Sequence, residues 1–158
     1  MNKQYISTLR DSLQKKDKIL DEILRISNYQ KELLEVTPLD YEKFDNYVND
    51  KDVCIENLNK LDEGFEILYQ RVGDELKENR EVYAQEILQM KQLISSITEK
   101  SVSIQTLEER NRKAMEQAIL QSRRELQKGK RSVSVAQNYY KNMSNIDGNL
   151  SKYMDQKQ

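Results

Sequence analysis

Apolar residues recur along this chain at steps of three and four, the period of one helical face. Over residues 3–36 the stripe is Ile6, Leu9, Leu13, Leu20, Ile23, Leu24, Ile26, Leu33 and Leu34, thinned at mid-helix by Lys15, Lys16, Asp17 and Lys18. Thr37-Pro38 then supplies an N-cap residue and a proline at the first helical position, and proline disfavours helix in the residue before it. The pattern predicts a second helix over 38–72 with the stripe Phe44, Tyr47, Cys54, Leu58, Leu61, Phe65, Leu68 and Val72, and Lys51 as its one polar break. Its steps of seven, four and three match a coiled-coil seam. Cys54 lies on that seam, which reads as a small core residue rather than a reactive thiol. Gly64 sits beside the seam, at a cost of about 1 kcal/mol in helix propensity.

After Val72 the phase slips, and a new stripe runs through Leu76, Tyr83, Ile87, Met90, Ile94, Ile97 and Ile104. A slip of this kind either unwinds a continuous rod or marks a turn. VGDELKENRE offers Gly73 as a C-cap and Asp74 or Asn79 as a fresh N-cap, so a turn between Gly73 and Asn79 is expected. A third helix follows over 80–131, with a weakening stripe in which Met115, Ile119, Leu126 and Val133 are separated by Ala118, Ser122 and Gly129. At 1.5 Å per residue it should outlast its neighbours by about 15 residues and project past them. SVSVAQNYYKNMSNIDGNLSKYM (132–154) carries only Lys141, Asp147 and Lys152 as charges, yet is dense in Tyr, Met, Val, Ile and Leu. Such a segment, left without an internal partner, is either disordered or meant for another chain. The expected architecture is all-α: an elongated antiparallel three-helix bundle over residues 1–131, then an amphipathic, partly disordered partner-binding segment over 132–158.

Composition supports this shape. A 37% hydrophobic content against 34% charged residues, with a mean hydropathy of −0.90, suits long helices that each bury one stripe. No run approaches the ~18 apolar residues of a membrane span, and MNKQYISTLR lacks an apolar signal core, so a cytoplasmic location is expected. The single cysteine fits a reducing compartment. With no histidine, no cysteine pair, no phosphate loop and no nucleophile elbow, an enzyme, a metal site and a cofactor are all disfavoured. Charge is unevenly spread: residues 40–86 hold 14 acids and 6 bases, whereas residues 110–131 hold 8 bases and 2 acids. A basic helix can bind nucleic acid, but no aromatic lies between these bases. Two complementary helices packing antiparallel is the favoured reading.

Three stretches carry a family resemblance: LDYEKFDNYVNDKDVCIENLNKLDEGFEIL (39–68), MKQLISSITEKSVSIQ (90–105) and NYYKNM (138–143). In layout and in these motifs the chain resembles flagellar export chaperones of the FlgN type, with the FliT type second. The resemblance implies a small cytoplasmic protein that binds the terminal segment of a late flagellar substrate, a hook–filament junction or filament-cap protein, and presents it to the export gate. Carried over, the substrate face is Met115, Ile119, Leu126, Val133, Ala136, Tyr140 and Met143, and the gate contact is Tyr139 or Tyr140. Two other readings stand beside it. A structural coiled coil or adaptor would self-associate through these faces as a homodimer, and a regulator would use the basic helix on nucleic acid.

Overall fold

The computed structural model describes residues 2–126 and 135–143. Among these the helices are α1 (Asn2–Leu34), α2 (Tyr41–Glu78), α3 (Ala84–Leu126) and a short α4 (residues 135–143), the first three joined by turns, without strands. Among the described residues there are thus four helices, one more than the periodicity predicts. α1 packs directly on both α2 and α3, while α2 and α3 meet each other through side chains. Cross-links fix the directions. Arg10 bonds Gln89, Asp17 bonds Ser96, and Ser27 meets Glu108, so α1 and α3 run parallel. Lys16 pairs with Asp62 and Ser27 lies by Lys51, so α2 runs antiparallel to both.

The stripe of α1 is buried as expected, with Ile6, Leu9, Leu13, Leu20, Ile23 and Ile26 in the core and Leu24, Leu33 and Leu34 packed against it. α2 begins later than the proline signal suggests. Asp40 is its N-cap, accepting a hydrogen bond from the Lys43 backbone N–H at 3.0 Å. Residues 35–40 therefore form the connection. The second turn also lies downstream of its predicted place. Gly73 is buried inside α2, where an added Cβ would stand 3.3 Å from the Tyr69 ring. Helix continues through it because Val72 to Leu76 is an ordinary step of four, and both side chains are buried. The true stop is Asn79, whose backbone N–H and side-chain amide both donate to the Glu75 carbonyl, at 2.9 and 3.2 Å. Tyr83 closes the turn with its hydroxyl on Glu75 Oε1 at 3.0 Å. Leu61 is only half-buried and stands outside the core cluster, whereas Leu58, one turn earlier, is buried. A charge at 61 therefore costs less than its place in the stripe implies.

The lengths explain the most consequential difference. Among the described residues α3 has 43 residues against 38 for α2 and 33 for α1, so it outlasts α2 by 5 residues rather than about 15. Ser122, near the last described residue of α3, lies beside the start of α2, as the 2.7 Å contact between the Tyr41 and Ser122 hydroxyls shows.

The polar gap of α1 is a two-sided junction. Lys16 turns to α2 and bonds Asp62 at 2.6 Å, while Asp17 turns to α3 and takes Lys100 at 2.8 Å and Ser96 at 2.8 Å. Burial drives the Lys16 ammonium down from 10.5 to about 8, against the pull of Asp62. Between those values an unfolded Lys16 binds more protons than a folded one, so the contribution of Lys16 to stability rises with pH across the window. Burial lowers Lys51 too, in the same direction. The urea midpoint is expected to climb from pH 8 toward pH 10, and Lys16→Met to flatten much of that climb. A midpoint that falls over this range in the native chain would show Lys16 to be hydrated.

Candidate functional site

Because α2 and α3 flank α1 without touching along their backbones, a groove runs between them. At the end where α2 begins, α4 fills it. Ala136, Tyr139 and Met143 are buried, and Val135 and Tyr140 pack against the same cluster. The Tyr139 ring is held between Phe44, at a centroid distance of 5.3 Å, and Tyr140, at 5.2 Å. The Tyr140 hydroxyl donates to the Arg112 carbonyl on α3 at 2.6 Å, and Asn142 donates to Asp52 on α2. Segment 135–143 thus has an internal partner, contrary to the length argument that left it without one.

Beneath α4 lies a polar network drawn from four helices. Lys51, the apparent break in the second stripe, is buried with its ammonium 2.5 Å from Glu108 Oε1, 3.3 Å from Ser27 Oγ and 3.2 Å from the Tyr139 hydroxyl. It also stands 4.4 Å from the Tyr139 ring centroid, within cation–π range. Asn111 ties the same level to α1 by donating to the Ser27 carbonyl at 3.0 Å. Burial pushes the Lys51 pKa down while Glu108 pulls it up. This ion pair takes its base from acidic α2 and its acid from α3, just before the basic stretch 110–131. Arg112, in the basic stretch, pairs with Glu109 and Glu116 of its own helix.

Sequence reasoning passed over this network, although a signal was present. Ser101, Glu108 and Asn111 are buried and stand in step with Ile97, Ile104 and Met115 at intervals of three and four. Lys51 likewise stands in phase with Phe44, Val48, Cys54 and Leu58. A polar residue inside an apolar stripe signals a partner elsewhere, but the sequence does not say which.

The residues expected to bind substrate divide into two groups. Met115 is fully buried and Ile119 is half-buried, both on the α3 wall of the groove. Ala136, Tyr140 and Met143 belong to α4, which covers that wall. Leu126 closes α3, and Val133 lies outside the described residues. Of the two tyrosines considered for the gate, Tyr139 is interior at 1% exposure and Tyr140 is at the rim. Cys54 is buried and its thiol is pushed up by that burial, which suits a packing role.

Toward the α2–α3 turn the groove widens into an open cavity of about 670 Å³. Its walls include Leu76 of α2 and Ile87, Met90 and Ile94 of α3, and Leu13 of α1 lies at its base. Lys77, Arg80 and Lys91 stand along it. Among the described residues no group of three or more carboxylate or cysteine side chains could hold a metal, and no helix is long and apolar enough to cross a membrane. What the groove offers is apolar surface for another helix.

The chain has no significant match among curated proteins or solved structures. Its residues 1–145 match the family model described as FlgN protein, a span that takes in α1 to α4 and both walls of the groove. The chain belongs to the FlgN family, the chaperones of flagellar export.

Proposed function

We propose that this protein is a cytoplasmic chaperone that binds the terminal segment of a late flagellar substrate, a hook–filament junction or filament-cap protein, and presents it to the export gate. The observation that carries this reading is the seating of α4: a nine-residue amphipathic helix lies between α2 and α3 and anchors through Ala136, Tyr139 and Met143. A groove that accepts one short helix this way can accept another by the same helix-in-groove packing. Isolated helices shorter than about 12–15 residues are marginal in water, so α4 depends on the groove and is the natural piece to exchange. On this reading a substrate helix packs on Met115, Ile119, Leu126 and Val133, with Ala136, Tyr140 and Met143 released or rearranged around it. Tyr140, at the rim, then serves the gate better than interior Tyr139.

Calorimetry with the terminal peptides of the organism's own hook–filament junction and cap proteins tests this. Binding is expected to be nearly independent of salt. Ile119→Asp, at a half-buried site, should weaken it at least tenfold, since interface anchors are worth roughly 2 kcal/mol or more. Lys113→Ala, on the exposed face of α3, should leave it unchanged. If Ile119→Asp binds as well as the native chain, substrate does not use this wall. A steep salt dependence would favour a nucleic-acid role, and a mass that doubles with concentration would favour the self-associating adaptor.

A further inference from the structure

The open end of the groove is sorted by charge. Residues 65–94, which supply its α2 and α3 walls, contain six acids and four bases. Yet the charged side chains that line the cavity are Lys77, Arg80 and Lys91, with no acid among them. All three are exposed, and among the described residues none of them makes an ion pair or a side-chain hydrogen bond. Other cations of the bundle are matched: Lys16, Lys100 and Arg112 each meet a carboxylate. The surface between the three cations is apolar and incompletely covered. Leu76 and Met90 are buried, Tyr69, Ile87 and Ile94 are half-buried, and Leu88 stands 56% exposed. From Ala84 to Ile94 this wall runs about 15 Å, close to three helical turns.

We propose that this cavity is a second docking surface, which takes an amphipathic helix of a partner protein whose apolar stripe is flanked by glutamate or aspartate. The apolar floor receives anchors spaced by three and four, and the cations at its edge meet the flanking carboxylates. Charge of one sign also works against the wrong partner, since a basic helix would bring its ammonium groups beside Lys77, Arg80 and Lys91. The surface is separate from the seat of α4. On α1 the polar junction of Lys16 and Asp17 lies between the two, with Leu13 on the cavity side and Ser27 on the other. A helix held in the cavity therefore leaves α4 in place, and both surfaces can be occupied together. The inference holds whichever substrate uses the α4 seat, and also if none does.

Methyl spectroscopy and calorimetry on the full chain test it, with two helix-constrained peptides of about 14 residues, roughly four turns. Both carry leucine at steps of three and four; one is flanked by glutamate and the other by lysine. The glutamate peptide is expected to shift the Ile87, Met90 and Ile94 methyls and to bind at least about tenfold more tightly than the lysine peptide. Charge reversal by Lys77→Glu, Arg80→Glu and Lys91→Glu, all at exposed sites, should invert that preference, with unchanged Ile23 and Ile104 signals reporting an intact core. Ile119→Asp, at the α4 end, should leave both affinities as they are, which separates this surface from the substrate wall. Absence of shifts at Ile87, Met90 and Ile94, equal affinity for the two peptides, or a preference that survives the charge reversal would each overturn the proposal. So would a mass that doubles as these methyls shift in the chain alone, which gives the cavity to a second copy. Phosphatidylglycerol vesicles that shift them where the peptides do not would overturn it in favour of an anionic membrane.

Discussion

Lys51→Met is expected to lower the unfolding free energy by about 3–5 kcal/mol, the usual cost of removing one member of a buried ion pair. Glu108 is the reason. Its carboxylate is buried, with one oxygen accepting from Ser27 and Lys51 and the other without a hydrogen-bond partner. Without the ammonium it must either stay charged in a dry site or take up a proton. The double substitution Lys51→Met, Glu108→Leu should recover most of the loss, because an apolar pair of similar volume needs no such compensation. Urea unfolding of the two variants gives the comparison. A single substitution that costs less than about 1 kcal/mol, the range of exposed pairs, would mean that water reaches the junction and that α4 does not seal it.

Removal of residues 132–158 is expected to destabilise the bundle by several kcal/mol, where the length argument alone predicts almost no effect. The deletion strips Tyr139, Met143 and Ala136 from the core and exposes the Lys51–Glu108 pair. Burial of a large apolar side chain contributes roughly 1.5–3 kcal/mol. Tyr139→Ala by itself should account for much of the loss, about 3–5 kcal/mol, as for other core aromatics cut to alanine. Tyr140→Ala should cost clearly less, since its ring is only half-buried. Helical content should stay high in every case, because α1, α2 and α3 hold most of it. An unchanged melting curve after the deletion would show that α4 does not rest on the groove in solution.

Much of the bundle can be read from the periodicity. The α1 stripe falls in the core residue by residue, Cys54 packs as a small apolar group, and the two connections lie within a few residues of their expected places. The errors have separate causes. Asp40 outcompetes Thr37 as N-cap because its carboxylate reaches the Lys43 N–H. Gly73 offers a C-cap, but helix passes through it, and Asn79, with two bonds to one carbonyl, ends α2. Gly64 has no neighbour within 4 Å of an added Cβ, so no close approach accounts for its glycine.

The sequence by itself determined the helical class, the buried faces of the long helices and the family, because all three are carried by local spacing that any single helix displays. Tertiary structure alone decided what the polar members of those stripes mean. Lys16, Lys51 and Glu108 look like breaks along one chain, and become junctions only when another helix brings Asp62, Ser27 or Tyr139 within hydrogen-bond distance. It also decided the place of residues 135–143. Whether an apolar stripe is surplus or core depends on whether a groove lies where the chain turns back. That groove exists because α1 holds α2 and α3 apart, an arrangement of three helices that the spacing within one of them does not encode.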